Sequence, residues 1–194
     1  RFKRFLKLNG DLQRDRPILI LIAALAIFCP PTSPSERSPR PYVNGIVLKR
    51  ALRSVPSRYP SATSGLCAKE MQLLHQVHSH APNVVRVIGN ALAADYDAAD
   101  GGTGGLDQVG DSWLFSRILR LGDSSLREPA LEITGSRLQY RDTSARLTPF
   151  GERILDGRAN FLERNGIDEW VAGVHLQSEA GRVWLEREGD VIRR

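Results

Sequence analysis

Cysteine is nearly absent: Cys29 and Cys67 are the only two in 194 residues. That excludes a small disulfide-framed scaffold and fits a chain kept reduced in the cytoplasm. Lysine is scarce too, so arginine carries most of the net charge of +5. Arginine is the residue suited to forked pairing with carboxylate or phosphate. No apolar run reaches the roughly 20 residues that a membrane-spanning helix needs. The longest, Ile18–Phe28, follows basic residues as a signal sequence would, yet Pro30-Pro31 stands behind it instead of a small-x-small cleavage site. It is expected to be a buried helix that starts at Pro17, with no membrane as partner. Several signatures are also missing. The glycines of "GGTGG" are not followed by Lys-Ser/Thr, and neither a Gly-x-Ser-x-Gly elbow nor His-Glu-x-x-His occurs.

What remains is ordinary globular material, 41% hydrophobic and 25% charged, enough to bury a core. Three parts are legible. Residues 1–29 form an N-terminal helical segment, with Phe2, Phe5, Leu6 and Leu12 at helical spacing. Residues 30–41, "PPTSPSERSPRP", are a stiff Pro/Ser-rich linker. Residues 42–194 carry the rest. There, Val43–Val55 reads as a basic amphipathic helix. A second helix opens at Cys67 with Leu66, Leu73, Leu74 and Val77 as its apolar side. A third lies in "NVVRVIGNALA" with Val84, Ile88, Ala91 and Leu92 on one face, although its valine-rich start also suits a strand. After a glycine-rich loop, Ser112–Leu121 is predicted helical with Asp111 as cap.

Two short strands are expected next, Ala130–Thr134 and Arg137–Arg141, joined across Gly135-Ser136. Thr148 and Pro149 then start a helix that stops at Gly157, and "GRVWLEREGDVIRR" closes the chain as a strand with Val183 and Leu185 on one face. The fold class is therefore α+β, mostly helical, with a winged-helix-like core, a short β-hairpin and a C-terminal strand. In that arrangement the hairpin is the wing and a preceding helix reads the DNA groove, although many such folds only join proteins.

Three blocks carry a family resemblance. "YPSATSGLCAKEMQLL" is similar to the "fPS..nGLs..E..lL" block of bacterial domain-of-unknown-function family 1835. "VGDSWLFSRILRL" resembles that family's GD-aromatic helix. "RLTPFGERILDGRANFLERNGIDEWVAGVHL" with "RVWLE" resembles its closing run. The similarity extends from about Tyr42 to Glu186, with two departures: Cys67 stands at a helix-capping Ser/Thr position and Ala172 at the first Gly of a Gly-Gly pair. It implies an N-terminal α/β domain, absent from this chain, as the partner that these segments complete. It implies no activity.

The candidate sites follow from side-chain chemistry. Arg50, Arg53 and Arg58 cluster at one helix end, and Arg137, Arg141 and Arg146 mark the presumed wing, where arginines reach a minor groove or phosphates. Duplex DNA is thus the leading partner, and solvation or pairing with Glu128, Glu132 and Asp142 is the bland alternative. In "NGIDEWVAGVHL", Asn165, Gly166, Asp168, Trp170, Gly173 and His175 are motif residues without an assigned role. Asp168 and His175 form an acid–base pair if the fold brings them together, with Asn165 orienting and Trp170 as an apolar wall. Otherwise Asn165-Gly166 is a helix stop, and Ile167, Trp170 and Val174 are core. His75, His78 and His80, with Glu70 and Cys67 upstream, lack the paired spacing of a zinc finger. No catalytic residue, cofactor or metal is assigned, and the expected role is a non-enzymatic binding module.

Overall fold

A computed structural model describes residues 54–97 and 109–194. The expected N-terminal helical segment, the Pro/Ser linker, most of the Val43–Val55 helix with Arg50 and Arg53, and the "GGTGG" loop lie outside them. The described residues are α+β. Helices α1 (Ala68–His80), α2 (Val84–Asp97) and α3 (Asp111–Leu121) come first, and hairpin β1 (Leu131–Gly135)–β2 (Thr143–Leu147) follows. Two short helices come next, α4 (Pro149–Leu155) and α5 (Phe161–Asn165). Hairpins β3 (Asp168–Val171)–β4 (Val174–Gln177) and β5 (Trp184–Arg187)–β6 (Asp190–Arg193) complete the order.

The helices form where apolar periodicity and end chemistry agree. In α1, Leu73, Leu74 and Val77 are fully buried, and the Glu70 carboxylate accepts the Cys67 N–H at 3.1 Å. That closes one of the donors a helix start leaves open. The valine-rich "NVVRVIGNALA" is helical, with Val84, Val87, Ile88 and Ala91 buried. Their i, i+3, i+4, i+7 spacing outweighs the β preference of valine. Asp111 is not the cap of α3: Gly110 is, and Asp111 occupies the first turn and accepts the Ser112 N–H at 2.7 Å. Thr148 does cap α4, its hydroxyl accepting the Gly151 N–H at 3.1 Å while Pro149 occupies the first position.

The first hairpin differs from expectation. Its second strand is Thr143–Leu147, paired from Leu131↔Leu147 to Gly135↔Thr143. Arg137–Arg141 belongs to the connection. Ser136 Oγ accepts the N–H groups of Leu138 and Gln139 at 3.1 and 3.2 Å, and the buried Thr143 hydroxyl donates to the carbonyls of Ser136 and Gln139. Such side-chain bonds offer the backbone an alternative to a ladder. Leu138, which alternation assigned to a strand, is 93% exposed. Just before α2, Asn83 makes an isolated antiparallel bridge with Ser144, so the α1–α2 link runs beside β2.

The expected C-terminal strand is also a hairpin. Glu188 and Gly189 both have positive φ, at 55° and 85°, between the paired residues Arg187 and Asp190. Two successive positive φ values define the tight turn that matches strand twist. Val183 and Leu185 are buried on one face as alternation required.

Two apolar clusters result. One joins α1–α3, β1–β2, α4 and Phe161. The other gathers Tyr59, Leu162, Ile167, Val171, Leu176, Val183 and Leu185, so the described residues are more than a single helical core with a wing. The "PSATSG" stretch fastens them. The parallel bridge Ser61↔Glu186 holds the last hairpin, the Phe161 N–H donates to the Ser64 carbonyl at 2.7 Å, and the Asn160 amide donates to the carbonyls of Ala62 and Thr63. Gly65 has φ +72°, and a Cβ there would sit 2.3 Å from Asn160 Oδ1. Only glycine fits this clasp.

Candidate functional site

The "NGIDEWVAGVHL" block forms the end of α5 and the third hairpin's neighbour, β3–β4. Gly166 follows Asn165 at φ 72° and its N–H returns to the Leu162 carbonyl, so Asn165-Gly166 is the helix stop. Ala172 and Gly173, at φ 48° and 82°, make the β3–β4 turn. Strand alternation then sorts the side chains. Val171 and Leu176 face the second cluster, and Asp168 and Trp170 face out beside their cross-strand partners Gln177 and His175.

Trp170 is therefore not a core anchor. It is 69% exposed and stacks on the His175 imidazole, with ring centroids 4.9 Å apart and planes within 8°. His175 Nε2 lies 2.6 Å from Asp168 Oδ1, and Gln177 donates to the other carboxylate oxygen at 3.2 Å. The His175 hydrogen bond, with smaller help from Gln177 and Arg182, holds the Asp168 carboxyl below its ordinary range. Asp168 and His175 thus meet as an acid–base pair would, but among the described residues no hydroxyl or thiol is hydrogen-bonded to the imidazole. Asn165 stands apart: its amide accepts the Glu128 N–H and donates to the Glu128 carbonyl, both at 3.0 Å. It pins the chain ahead of β1 and orients nothing at His175.

Beneath the hairpin's other face lies a charge cluster that sequence reading missed. Glu70, 3% exposed, is paired with Arg120 and lies 3.6 Å from Arg117. Glu169, on the inner face of β3, pairs with Arg117 and reaches Arg120 at 3.2 Å. Two carboxylates and two guanidinium groups thereby join α1, α3 and β3. The only sequence signal was a pair of arginines three apart in the largely apolar "WLFSRILRL", which one helix face brings together.

A cleft opens beside this cluster, about 150 Å³ in volume, between the start of α1, the start of α3 and the β3–β4 turn. Arg58, Lys69 and Arg117 line it together with Trp113 and Trp170. The Arg117 guanidinium sits 4.8 Å from the centre of the Trp113 ring, within cation–π range. Cys67 forms part of the wall and is itself buried. Burial first, then the Glu70 charge, pushes its thiol pKa up, so it stays neutral and is a poor nucleophile.

The other expected site residues fall in two places. Arg58 belongs to a 3-10 turn, Pro56–Arg58, at this cleft and not to the β1–β2 side of the molecule. Arg137 lies 3.4 Å from Asp123, Arg141 is exposed in the 3-10 turn Tyr140–Asp142, and Arg146 is exposed on β2 opposite Glu132. Glu128 is not their partner; Arg164 and Arg153 hold it, in that order of effect, and lower its pKa. The histidine group does not converge either. His75 and His78 are exposed, and Glu70 is committed to Arg120. Among the described residues no three His, Cys, Asp or Glu side chains group closely enough to hold a metal ion, and no helix is long and apolar enough to cross a membrane. No protein-family model matches the chain, and no curated protein matches it.

Proposed function

We propose that this chain is a non-enzymatic binding module with a winged-helix core, and that it joins proteins instead of reading DNA bases. The order helix, helix, helix, hairpin supports the core assignment, as does the Asn83–Ser144 bridge that sets the α1–α2 link beside the wing. One observation carries the choice of partner. Helix α3 is the element that would enter a major groove, and both its arginines are occupied by Glu70 and Glu169 beneath β3. A groove-reading helix needs free donors for base edges. The hairpin over that flank instead turns an exposed tryptophan outward, and tryptophan is enriched at protein-binding hot spots.

The α/β domain that the resemblance to family 1835 implies is the first partner to test. Sedimentation of this chain mixed with such a domain should give a complex that weakens when Trp170 becomes alanine. Failure to associate, together with duplex binding, overturns the proposal.

Duplex DNA is the second reading, favoured by Arg141 and Arg146, which are exposed on the wing and have no carboxylate within ion-pair distance among the described residues. Through the wing alone, binding would be weak, indifferent to sequence and steeply salt-dependent. Labelled duplex titrated at two salt concentrations tests this. Replacing Arg141 and Arg146 by alanine should flatten the salt slope by about one unit for each phosphate contact removed.

A further inference from the structure

We propose that the outer edge of β3 is a strand-addition site, at which an extended segment of a partner protein pairs with β3 and lays an arginine over Trp170. This rests on the protein-partner reading and names the mode and chemistry of the contact. The register decides which backbone groups are open. The Ser178 N–H donates to the Ile167 carbonyl at 2.8 Å, so these two residues form a hydrogen-bonded pair just before β3. Such pairs alternate along an antiparallel ladder. Glu169 and Val171 therefore bond to β4, whereas Asp168 and Trp170 turn their N–H and C=O groups away from it. The same alternation turns Gln177 of β4 outward, where its N–H meets the Arg182 carbonyl at 2.8 Å. On the β3 side nothing does this: β4 is its sole ladder partner, and among the described residues no hydrogen bond reaches the main chain of Asp168 or Trp170. Open groups of this kind are a template for another extended chain.

The cleft marks the same edge. Trp170 and Val171 point to opposite faces of β3, yet both line it, and no residue of β4 does. An added strand turns alternate side chains toward this space, where Val109, Trp113 and Val171 offer apolar wall to a valine-sized group. Arg58, Lys69 and Arg117 hold interactions of their own, so the contact does not draw on their charge. The outer face selects the arginine. His175 stands across the ladder from Trp170, so its imidazole covers the indole on the β4 side and leaves the other ring face over the open edge. Two residues back on that face is Asp168, its side chain 66% exposed. His175 and Gln177 take one lone pair on each of its oxygens, and among the described residues no arginine or lysine pairs with it. A guanidinium that stacks on the indole also reaches this carboxylate, which matches a flat cation better than a lysine.

The test is an amide-resolved NMR titration of the full chain with the blocked peptide Thr-Val-Arg-Val-Thr, its arginine opposite Trp170 and its valines toward the cleft. The amide signals of Asp168 and Trp170 should move saturably and exchange more slowly with water, while that of Glu169, already bonded to β4, stays. N-methylation of the arginine amide leaves every side chain in place and should weaken binding by about tenfold. N-methylation of either valine, whose N–H points away from β3, should not. Asp168→Asn, Trp170→Val and citrulline in place of the peptide arginine should each weaken binding by about fivefold. No saturable movement at Asp168 and Trp170 overturns the site. Equal losses from N-methylation at arginine and at valine overturn strand addition, and unchanged binding of the citrulline peptide overturns the arginine. If the chain associates with an α/β domain and the peptide neither moves these signals nor competes, this site fails while the protein-partner reading stands.

Discussion

Glu70 offers the sharpest test of how the two halves of the molecule are held together. Its replacement by alanine removes three things at once. Arg120 loses its closest carboxylate, Arg117 loses one 3.6 Å away, and the Cys67 N–H loses the acceptor it has at 3.1 Å. Breaking a buried ion pair from one side costs about 3–5 kcal/mol. The arginine side chains are 17% and 29% exposed, so water and Glu169 soften that cost. The orphaned backbone N–H adds about 1 kcal/mol or more. Together these place Glu70→Ala at about 3 kcal/mol, or a melting midpoint lower by roughly 6–12 °C for a domain of this size. Glu70→Gln keeps an acceptor for Cys67 and should lose roughly half as much. Urea denaturation with an unchanged slope measures both. A double-mutant cycle with Arg120→Ala should return a coupling of about 1–3 kcal/mol. A cost for Glu70→Ala under about 1 kcal/mol, or a coupling near zero, would refute the cluster as the link between α1, α3 and β3. Hydrogen exchange gives a second readout, because β3–β4 amides should exchange faster once α3 no longer holds Glu169.

Trp170→Ala should cost only about 1 kcal/mol, the value of an aromatic stack, whereas Phe161→Ala, in the core at 1% exposure, should cost about 3–5 kcal/mol; equal midpoint losses would reinstate Trp170 as a core residue. Ala172→Asn should stabilise by about 1 kcal/mol, since Ala172 has φ 48° and an Asn-Gly pair suits that turn; a lower midpoint would refute the turn. Cys67 has its pKa raised, so its neutral form is the one the fold favours, and its stabilising effect is complete below the ordinary thiol value of 9.0. Above that pH the unfolded thiol ionises and the folded one does not, so stability should fall by about 1.4 kcal/mol per pH unit; chemical denaturation of the chain and of Cys67→Ser between pH 8 and pH 10 (roughly one unit past the ordinary value) checks this, because the serine variant should lack that slope.

How far the chain could be read follows the range of the forces involved. Two helix ends were legible because they depend on a few adjacent residues. Thr148-Pro149 starts α4 through one hydroxyl and a fixed φ, and Asn165-Gly166 ends α5 through one positive φ. The buried faces of α1 and α2 were legible from spacing alone. Trp170 was not: reading Ile167, Trp170 and Val174 together as core leaves out strand β3, to which Trp170 belongs. With a period of two, Glu169 and Val171 point inward and Trp170 outward. The wing boundaries failed for a related reason: alternation in Arg137–Arg141 looks like a strand until Ser136 and Thr143 take up its backbone groups.

The sequence by itself determined the α+β class, the positions of helices α1 to α4 and the glycines at the turns between described elements, since each rests on local geometry or on one buried stripe. Only the tertiary structure decided the site. Glu70 and Arg117 are 47 positions apart, since 117 − 70 = 47, and Glu169 lies a further 52 along, since 169 − 117 = 52. Nothing local in any of the three announces the others. Charges at such separations meet only when packing has already set α3 between α1 and β3, and the cleft with its two tryptophans exists only as a by-product of that packing.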